Sequence, residues 1–150
     1  MVIEGGLSQE DDTVALRDGR FLRVFIILFR EPHNGGHRMK VEQAEYQYQL
    51  DREGKRWVFR YDYRRDPQDQ HPATHLQVRG TLLEPVQAYR GALERTHFPT
   101  GRVSIEAVIR LLIEQFGVSP AASEVWRRVL TETERAFEAI AHRPLSGPAA

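Results

Sequence analysis

The sequence contains no cysteine among its 150 residues, which excludes a disulfide framework and a thiolate metal site. Basic and acidic residues number 21 each, and the resulting zero net charge argues against a broad electrostatic surface for nucleic acid. The longest apolar run covers only residues 24–29, too short to cross a bilayer, and no signal peptide is recognisable at the amino terminus. These absences predict a cytoplasmic protein, and the small stand-alone domain favours a bacterial or archaeal host.

The signatures of several common enzyme classes are missing as well. There is no Gly-x4-Gly-Lys-Ser/Thr loop, no Gly-x-Gly-x-x-Gly turn and no His-Glu-x-x-His pair. A Gly-x-Ser-x-Gly elbow is also absent. P-loop hydrolysis, Rossmann oxidoreduction, zincin proteolysis and α/β-hydrolase chemistry are therefore disfavoured, and we expect no cofactor.

Length and composition together indicate a single domain over residues 1–150. A chain of this length with a hydrophobic share of 41% can bury a core of its own. The pattern along the chain predicts four stretches within the domain: a loose amino terminus over 1–11, a β-rich part over 12–81, a helical part over 82–142 and a disordered tail over 143–150.

Five segments have the composition or the alternation of β-strands, and they cover residues 13–16, 21–30, 40–50, 56–63 and 74–79. Asp18-Gly19, between the first two, supplies the positive φ that a tight hairpin turn needs. The second segment is apolar on both faces, which indicates a central strand covered on both sides or one that bends across the core. Residues 31–37 contain a proline and two adjacent glycines, so we expect a loop there.

Two helices are expected near the carboxyl end. Apolar residues recur at helical spacing over 105–116, with Ser104 as the N-cap and Gly117 as the stop. A second apolar stripe predicts a helix over 120–142 with proline at its first position. A further short helix is expected within 82–94.

These elements predict the α+β class, with an antiparallel β-meander of about five strands and two or three C-terminal helices packed on one face. The aromatic face of such a sheet would pack on the helices, and the other face would stay partly open. We therefore expect any functional site on the open face or on the loops that border it.

The polar face of two predicted strands carries the first candidate site. Arg60 and Asp62 alternate along one strand, and His75, Gln77 and Arg79 alternate along another. If these strands are neighbours, Asp62 can orient His75 as a general acid or base. Arg60 or Arg79 can then stabilise negative charge that develops on a phosphate or carbonyl group. A solvated sheet face with cross-strand ion pairs is the commoner interpretation of the same pattern.

Two histidine pairs share one spacing, His33 with His37 and His71 with His75. On a helix, residues four apart can bind one metal ion. Both pairs lie beside proline or glycine, where a helix is not expected, and no cysteine adds a ligand. We therefore predict solvent-exposed loop histidines and no metal site.

A third group precedes the helix expected from Ser104. Arg95, His97 and Arg102 would lie close to its amino terminus, where backbone N–H groups favour an anion. A phosphate site and a well-capped connection both remain open. Taken together, the candidate catalytic residues are Arg60, Asp62 and His75, and the candidate substrate-binding residues are His71, Gln77, Arg79 and Arg102.

Short motifs over residues 13–115 resemble the TumE-type family of small prokaryotic proteins. The matching segments are Asp18-Gly19, Tyr46-Gln-Tyr48, Arg60-Tyr-Asp62, His71-Pro-Ala-Thr-His75 and the helix from Ser104. These proteins are described as toxin partners of an antitoxin with a nucleotidyltransferase fold. The resemblance implies a growth-inhibiting component held in check by a protein partner, with Arg60, Asp62 and His75 as the positions to carry over.

We accordingly expect a toxin-like component of a toxin–antitoxin pair, with RNA as a candidate target that the net charge does not support. The alternative is a non-enzymatic interaction module that forms a homodimer or binds a partner protein. Such a module would use an open sheet edge or apolar surface on the last helix. A nucleic-acid-binding accessory protein is the third hypothesis, and zero net charge weakens it.

Overall fold

The computed structural model describes residues 12–67, 72–80 and 95–141 of the chain. The chain divides into two compact units, Met1–Gly101 and Arg102–Ala150. The described strands belong to the first unit and the described helices to the second, and each unit is treated by itself below.

The first unit contains one antiparallel sheet in which the spatial order of the strands is their order in the chain. The strands are β1 (Thr13–Ala15), β2 (Phe21–His33), β3 (Gly36–Gln49), β4 (Trp57–Arg64), β5 (Thr74–Val78) and β6 (Phe98–Pro99). The predicted antiparallel meander is confirmed. The sheet has a sixth strand, which the sequence pattern did not indicate, because the two residues of β6 pair with His75 and Leu76.

The hairpin between β2 and β3 is longer than the sequence pattern indicated. We expected a loop over 31–37, but the turn is confined to Asn34 and Gly35, whose φ values are 46° and 75°. Asn-Gly is the strongest signal for a two-residue hairpin turn, since both residues accept positive φ. Pro32 does not end β2, because a proline is tolerated on a strand at the edge of a sheet.

The second half of β2 is less covered than its apolar sequence suggested. β1 pairs with only the first three residues of β2, and Ile26, Ile27 and Leu28 are 43%, 40% and 49% exposed. The expectation of a strand covered on both sides is therefore wrong for this stretch. The reason is topological: β1 is too short to extend along β2, so among the described residues this half has a strand on one edge only, which is β3.

The apolar face of the sheet is built from rows of side chains that run across the strands. Since successive residues alternate between faces, the register places Leu22, Tyr48, Phe59 and Val78 in one such row. The first three are buried, and the rings of Tyr48 and Phe59 lie 5.7 Å apart. This row belongs to the hydrophobic core of the unit.

The opposite face is polar but is not simply solvated. Two rows cross it, Arg23–Gln47–Arg60–Gln77 and Phe25–Glu45–Asp62–His75. We expected His75 and Gln77 to point outward, yet they are only 9% and 7% exposed. Polar side chains that are buried in this way need hydrogen-bond partners, and these partners define the candidate site described below.

The second unit contains two helices, α1 (Ile105–Phe116) and α2 (Trp126–Ala141). Ser104 is the N-cap of α1 as predicted, since its hydroxyl accepts from the Ala107 N–H at 3.0 Å. Gly117 ends α1 with a φ of 70°, also as predicted. The predicted start of α2 at Pro120 is wrong by six residues. A helix gains most of its stability by burying an apolar stripe, and that stripe begins only near Trp126.

The predicted helix within 82–94, the amino-terminal stretch 1–11 and the tail 143–150 lie outside the described residues. Within the described part of the chain, neither helix has the length and apolar character needed to cross a membrane.

Candidate active site

An open pocket of about 240 Å³ lies on the polar face of the sheet. Strands β3, β4 and β5 and the segments next to them supply its walls. The lining residues are Gln43, Glu45, Arg60, Asp62, Tyr63, Arg64, Pro67, Pro72, His75 and His97. The predicted catalytic residues Arg60, Asp62 and His75 all belong to this set.

The centre of the pocket is the carboxylate of Asp62, which contacts two other predicted residues. Asp62 and His75 are directly opposite each other in the β4–β5 register, and His75 Nε2 lies 3.3 Å from Asp62 Oδ2. Arg60, two residues before Asp62 on the same face, donates from Nε to the same oxygen at 2.9 Å. The carboxylate therefore holds an imidazole and a guanidinium side by side.

The orientation of the His75 ring is set from its other nitrogen. Nδ1 lies 3.1 Å from the carbonyl oxygen of Pro72. A carbonyl oxygen can only accept a hydrogen bond, so Nδ1 carries a hydrogen and donates it. The other ring nitrogen, Nε2, faces the carboxylate of Asp62. This arrangement, with a base oriented by a second group, is typical of general acid–base catalysis.

Gln77 supports Arg60 from the neighbouring strand. Its Oε1 accepts from Arg60 Nη2 at 2.6 Å, and its Nε2 lies 3.4 Å from His97 Nε2. Gln77, a predicted substrate-binding residue, has a buried side chain that is not among the pocket-lining residues. In the structure it holds the guanidinium of Arg60 in place.

His97 is a pocket residue that the sequence did not assign to this site. Its ring centroid lies 4.5 Å from that of His75, at an interplanar angle of 61°. The sequence grouped His97 with Arg95 and Arg102 near a helix terminus. It comes to the pocket because the next two residues form β6 and pair with β5. The sequence showed the alternating pattern of β5, but it gave no signal for β6, because a strand of two residues is too short to produce a pattern.

The other predicted binding residues lie elsewhere. Arg79 donates to the backbone oxygen of Lys55 in the β3–β4 turn, and its guanidinium lies 6.0 Å from the ring centroid of Trp57. Arg102 belongs to the helical unit, where it lies over the ring of Phe137 at 5.1 Å. His71 falls outside the described residues.

Glu45 is a second pocket residue that the sequence pattern did not single out. It stands directly opposite Asp62 in the β3–β4 register, and its Oε1 accepts from Arg23 Nη1 at 2.9 Å. Arg23 also donates from Nε to Asp12 Oδ2 at 2.8 Å. Burial raises the pKa of Glu45, outweighing the attraction of Arg60 and Arg23, and the negative charges of Asp62 and Asp12 act in the same direction as burial.

No group of three or more histidine, aspartate or glutamate residues in the described part of the chain is arranged to hold a metal ion. His33 and His37 flank the turn of the β2–β3 hairpin. Both are exposed as predicted, but they lie in strands and not in a loop. His37 Nδ1 lies 2.7 Å from Arg30 Nη2, so this ring contacts a cation.

The pocket thus places two titratable side chains, His75 and Glu45, beside the guanidinium group of Arg60. His75 and Glu45 can exchange protons, and Arg60 can stabilise an oxyanion. Comparisons with known proteins found no relative of this chain. No protein-family model matches it, and no curated protein or solved structure matches it either.

Proposed function

We propose that this protein is a toxin-like component of a prokaryotic toxin–antitoxin pair, and that its pocket acts on RNA by general acid–base catalysis in the cytoplasm. One observation carries the proposal: Asp62 contacts His75 and Arg60 inside a single open pocket. The resemblance to TumE-type proteins supports the same three residues. It also supplies the expected partner, an antitoxin-like protein that restrains the activity.

The chemistry that suits this set of residues is the cleavage of a phosphodiester. Arg60 would neutralise the charge that develops on the non-bridging oxygens, and the exposed Arg64 on the pocket wall adds a second cation. His75 would move the proton through Nε2, with Asp62 orienting the ring. Because the chain has zero net charge, we propose that RNA is held at this local site and not along a broad basic face.

The test is growth of a host that expresses the wild type, His75→Ala or Asp62→Ala. We expect arrest and loss of intact cellular RNA with the wild type alone, and purified variants should keep the wild-type circular dichroism spectrum. His37→Ala is the matched control, since it removes an exposed histidine far along the sheet from the pocket. Arrest by all four proteins, or by none of them, would overturn the proposal.

A second candidate function, the interaction module, is favoured by exposed apolar side chains in each unit. On the β2–β3 hairpin, Leu28 and Met39 are 49% and 53% exposed, and the backbone edge of β2 beyond Arg23 meets no strand among the described residues. On α2, Val129 is 46% exposed. Surfaces of this kind form homodimers or bind partner proteins.

Light scattering distinguishes these two surfaces. If the wild type is a dimer, Leu28→Asp should give a monomer when the sheet edge is the interface, whereas Val129→Asp should do so when α2 is the interface. If the wild type remains a monomer across the accessible concentration range, the homodimer hypothesis is excluded.

A further inference from the structure

We propose that Glu45 is a second proton-transfer group of the pocket, working beside the Asp62–His75 pair. The role of Glu45 in a reaction rests on the proposed function, but its ability to hold a proton does not. Three independent observations carry it: the position of Glu45, the charges around it and the way its carboxylate is hydrogen bonded.

The position of Glu45 is fixed by strand pairing. It lies on the same face as Asp62, directly opposite it across β3 and β4, and its side chain lines the same pocket. Opposite residues on neighbouring strands have Cβ atoms about 4.5–5.5 Å apart. Two carboxylates therefore share one wall, and His75 lies on the far side of Asp62.

Carboxylates crowd together in this part of the sheet. The carboxylates of Asp12, Glu45 and Asp62 alternate with the guanidinium groups of Arg23 and Arg60. Within this hydrogen-bonded row three carboxylates share two guanidinium groups, and the other cation of the pocket, Arg64, is exposed to solvent. Like-charged carboxylates that share a site tend to retain a proton, and burial favours the neutral form of the acid.

The hydrogen bonds indicate which carboxylate keeps that proton. Asp62 accepts from Arg60 Nε and faces His75, and Asp12 accepts from Arg23 Nε. Glu45 shares Arg23 with Asp12, and its side chain remains 14% exposed toward the pocket. Its raised pKa agrees with this position. Glu45 is thus shielded enough to hold a proton and open enough to exchange it.

In phosphodiester cleavage by a neighbouring hydroxyl, two proton transfers accompany one displacement. His75 Nε2 would take the proton from the attacking hydroxyl while the new O–P bond forms. Glu45 would give its proton to the leaving oxygen while the old P–O bond breaks. Each group then returns to its starting state by proton exchange with water, so no other reactant is needed.

The first experiment does not depend on catalytic activity. The side-chain carboxyls of ¹³C-labelled protein are titrated by NMR. We expect one glutamate carboxyl signal whose titration midpoint lies at a higher pH than that of an ordinary glutamate. This signal should be missing from the spectrum of Glu45→Gln. Asp62→Asn should lower that midpoint, because the substitution removes a neighbouring negative charge. Asp51→Asn, in the β3–β4 turn, is the control and should leave it unchanged.

The second experiment measures RNA cleavage against pH with a fluorescent oligoribonucleotide. Glu45→Gln should lower the rate by about a hundredfold and remove one limb of the pH profile, while Glu42→Gln on the same strand should behave as the wild type. Absence of the elevated glutamate signal, or a full rate in Glu45→Gln, would overturn the inference. A wild type that shows the signal but neither cleaves RNA nor arrests growth would overturn the proposed function and leave the proton-holding role of Glu45 supported.

Discussion

His75 Nε2 lies 3.3 Å from Asp62 Oδ2 across two neighbouring strands, and the opposite ring nitrogen of His75 is held by the backbone of Pro72. This contact gives the imidazole one defined orientation in an open pocket. A surface ion pair has no comparable restraint, because its side chains are free to reorient in water. The relationship between these two residues is the reason to treat the pocket as a site of proton transfer.

Gln77 is predicted to be a positioning residue that acts through Arg60. Gln77→Leu removes the oxygen that accepts from Arg60 Nη2 at 2.6 Å, so the guanidinium can move within the pocket. A displacement of this kind typically costs about ten- to a hundredfold in rate. Gln77→Glu keeps an acceptor at the same place and should restore most of the activity in the growth and RNA-cleavage assays. Full activity in Gln77→Leu would contradict this role.

Glu134 is predicted to connect the two helices and to make their stability depend on pH. It accepts from Arg110 Nη1 at 2.7 Å and from Ser104 Oγ at 2.9 Å, and the hydrogen bond from Arg110 is the main cause of its lowered pKa. Its contribution is therefore complete above the unfolded-state value of about 4.3 and is lost as the pH falls through the lower folded value. Because both side chains are partly exposed, Glu134→Gln should cost only about 1 kcal/mol at pH 7.

Thermal unfolding of both proteins between pH 7 and pH 3 checks this prediction. The difference in stability between the wild type and Glu134→Gln should shrink as the medium becomes acidic. Arg127 provides a control, because it lies 3.8 Å from Glu114 with most of its side chain exposed, so Arg127→Gln should have little effect at any pH. A constant difference between the wild type and Glu134→Gln would show that the ion pair contributes nothing.

Gly54 and Gly19 offer a matched pair of substitutions in two turns of the sheet. Both have positive φ, 70° and 80°, so replacement by alanine should cost each of them roughly 1 kcal/mol. At Gly54 the added Cβ would also meet Gln47 Nε2 and Gln49 Oε1 at 3.0 Å, whereas nothing lies within 4 Å at Gly19. Chemical denaturation should therefore show a larger loss for Gly54→Ala. Equal losses would mean that the Gln47–Gln49 pair moves freely aside.

Local signals in the sequence were sufficient where the determining interactions are also local. The Asp18-Gly19 turn, the N-cap at Ser104 and the stop at Gly117 all appear in the structure as predicted. Each depends on backbone conformation and on hydrogen bonds between residues a few positions apart. Alternation also placed Arg60 and Asp62 on one face, because side chains alternate in every strand.

Strand pairing decided what the sequence left open. Periodicity and turn signals indicated an antiparallel β-rich part followed by helices, and they singled out Arg60, Asp62 and His75. Glu45 joined the site through the β3–β4 register, and His97 joined it through the short strand β6. The physical reason is that register and the burial of polar side chains depend on contacts between residues far apart in the chain, which periodicity along one strand does not encode.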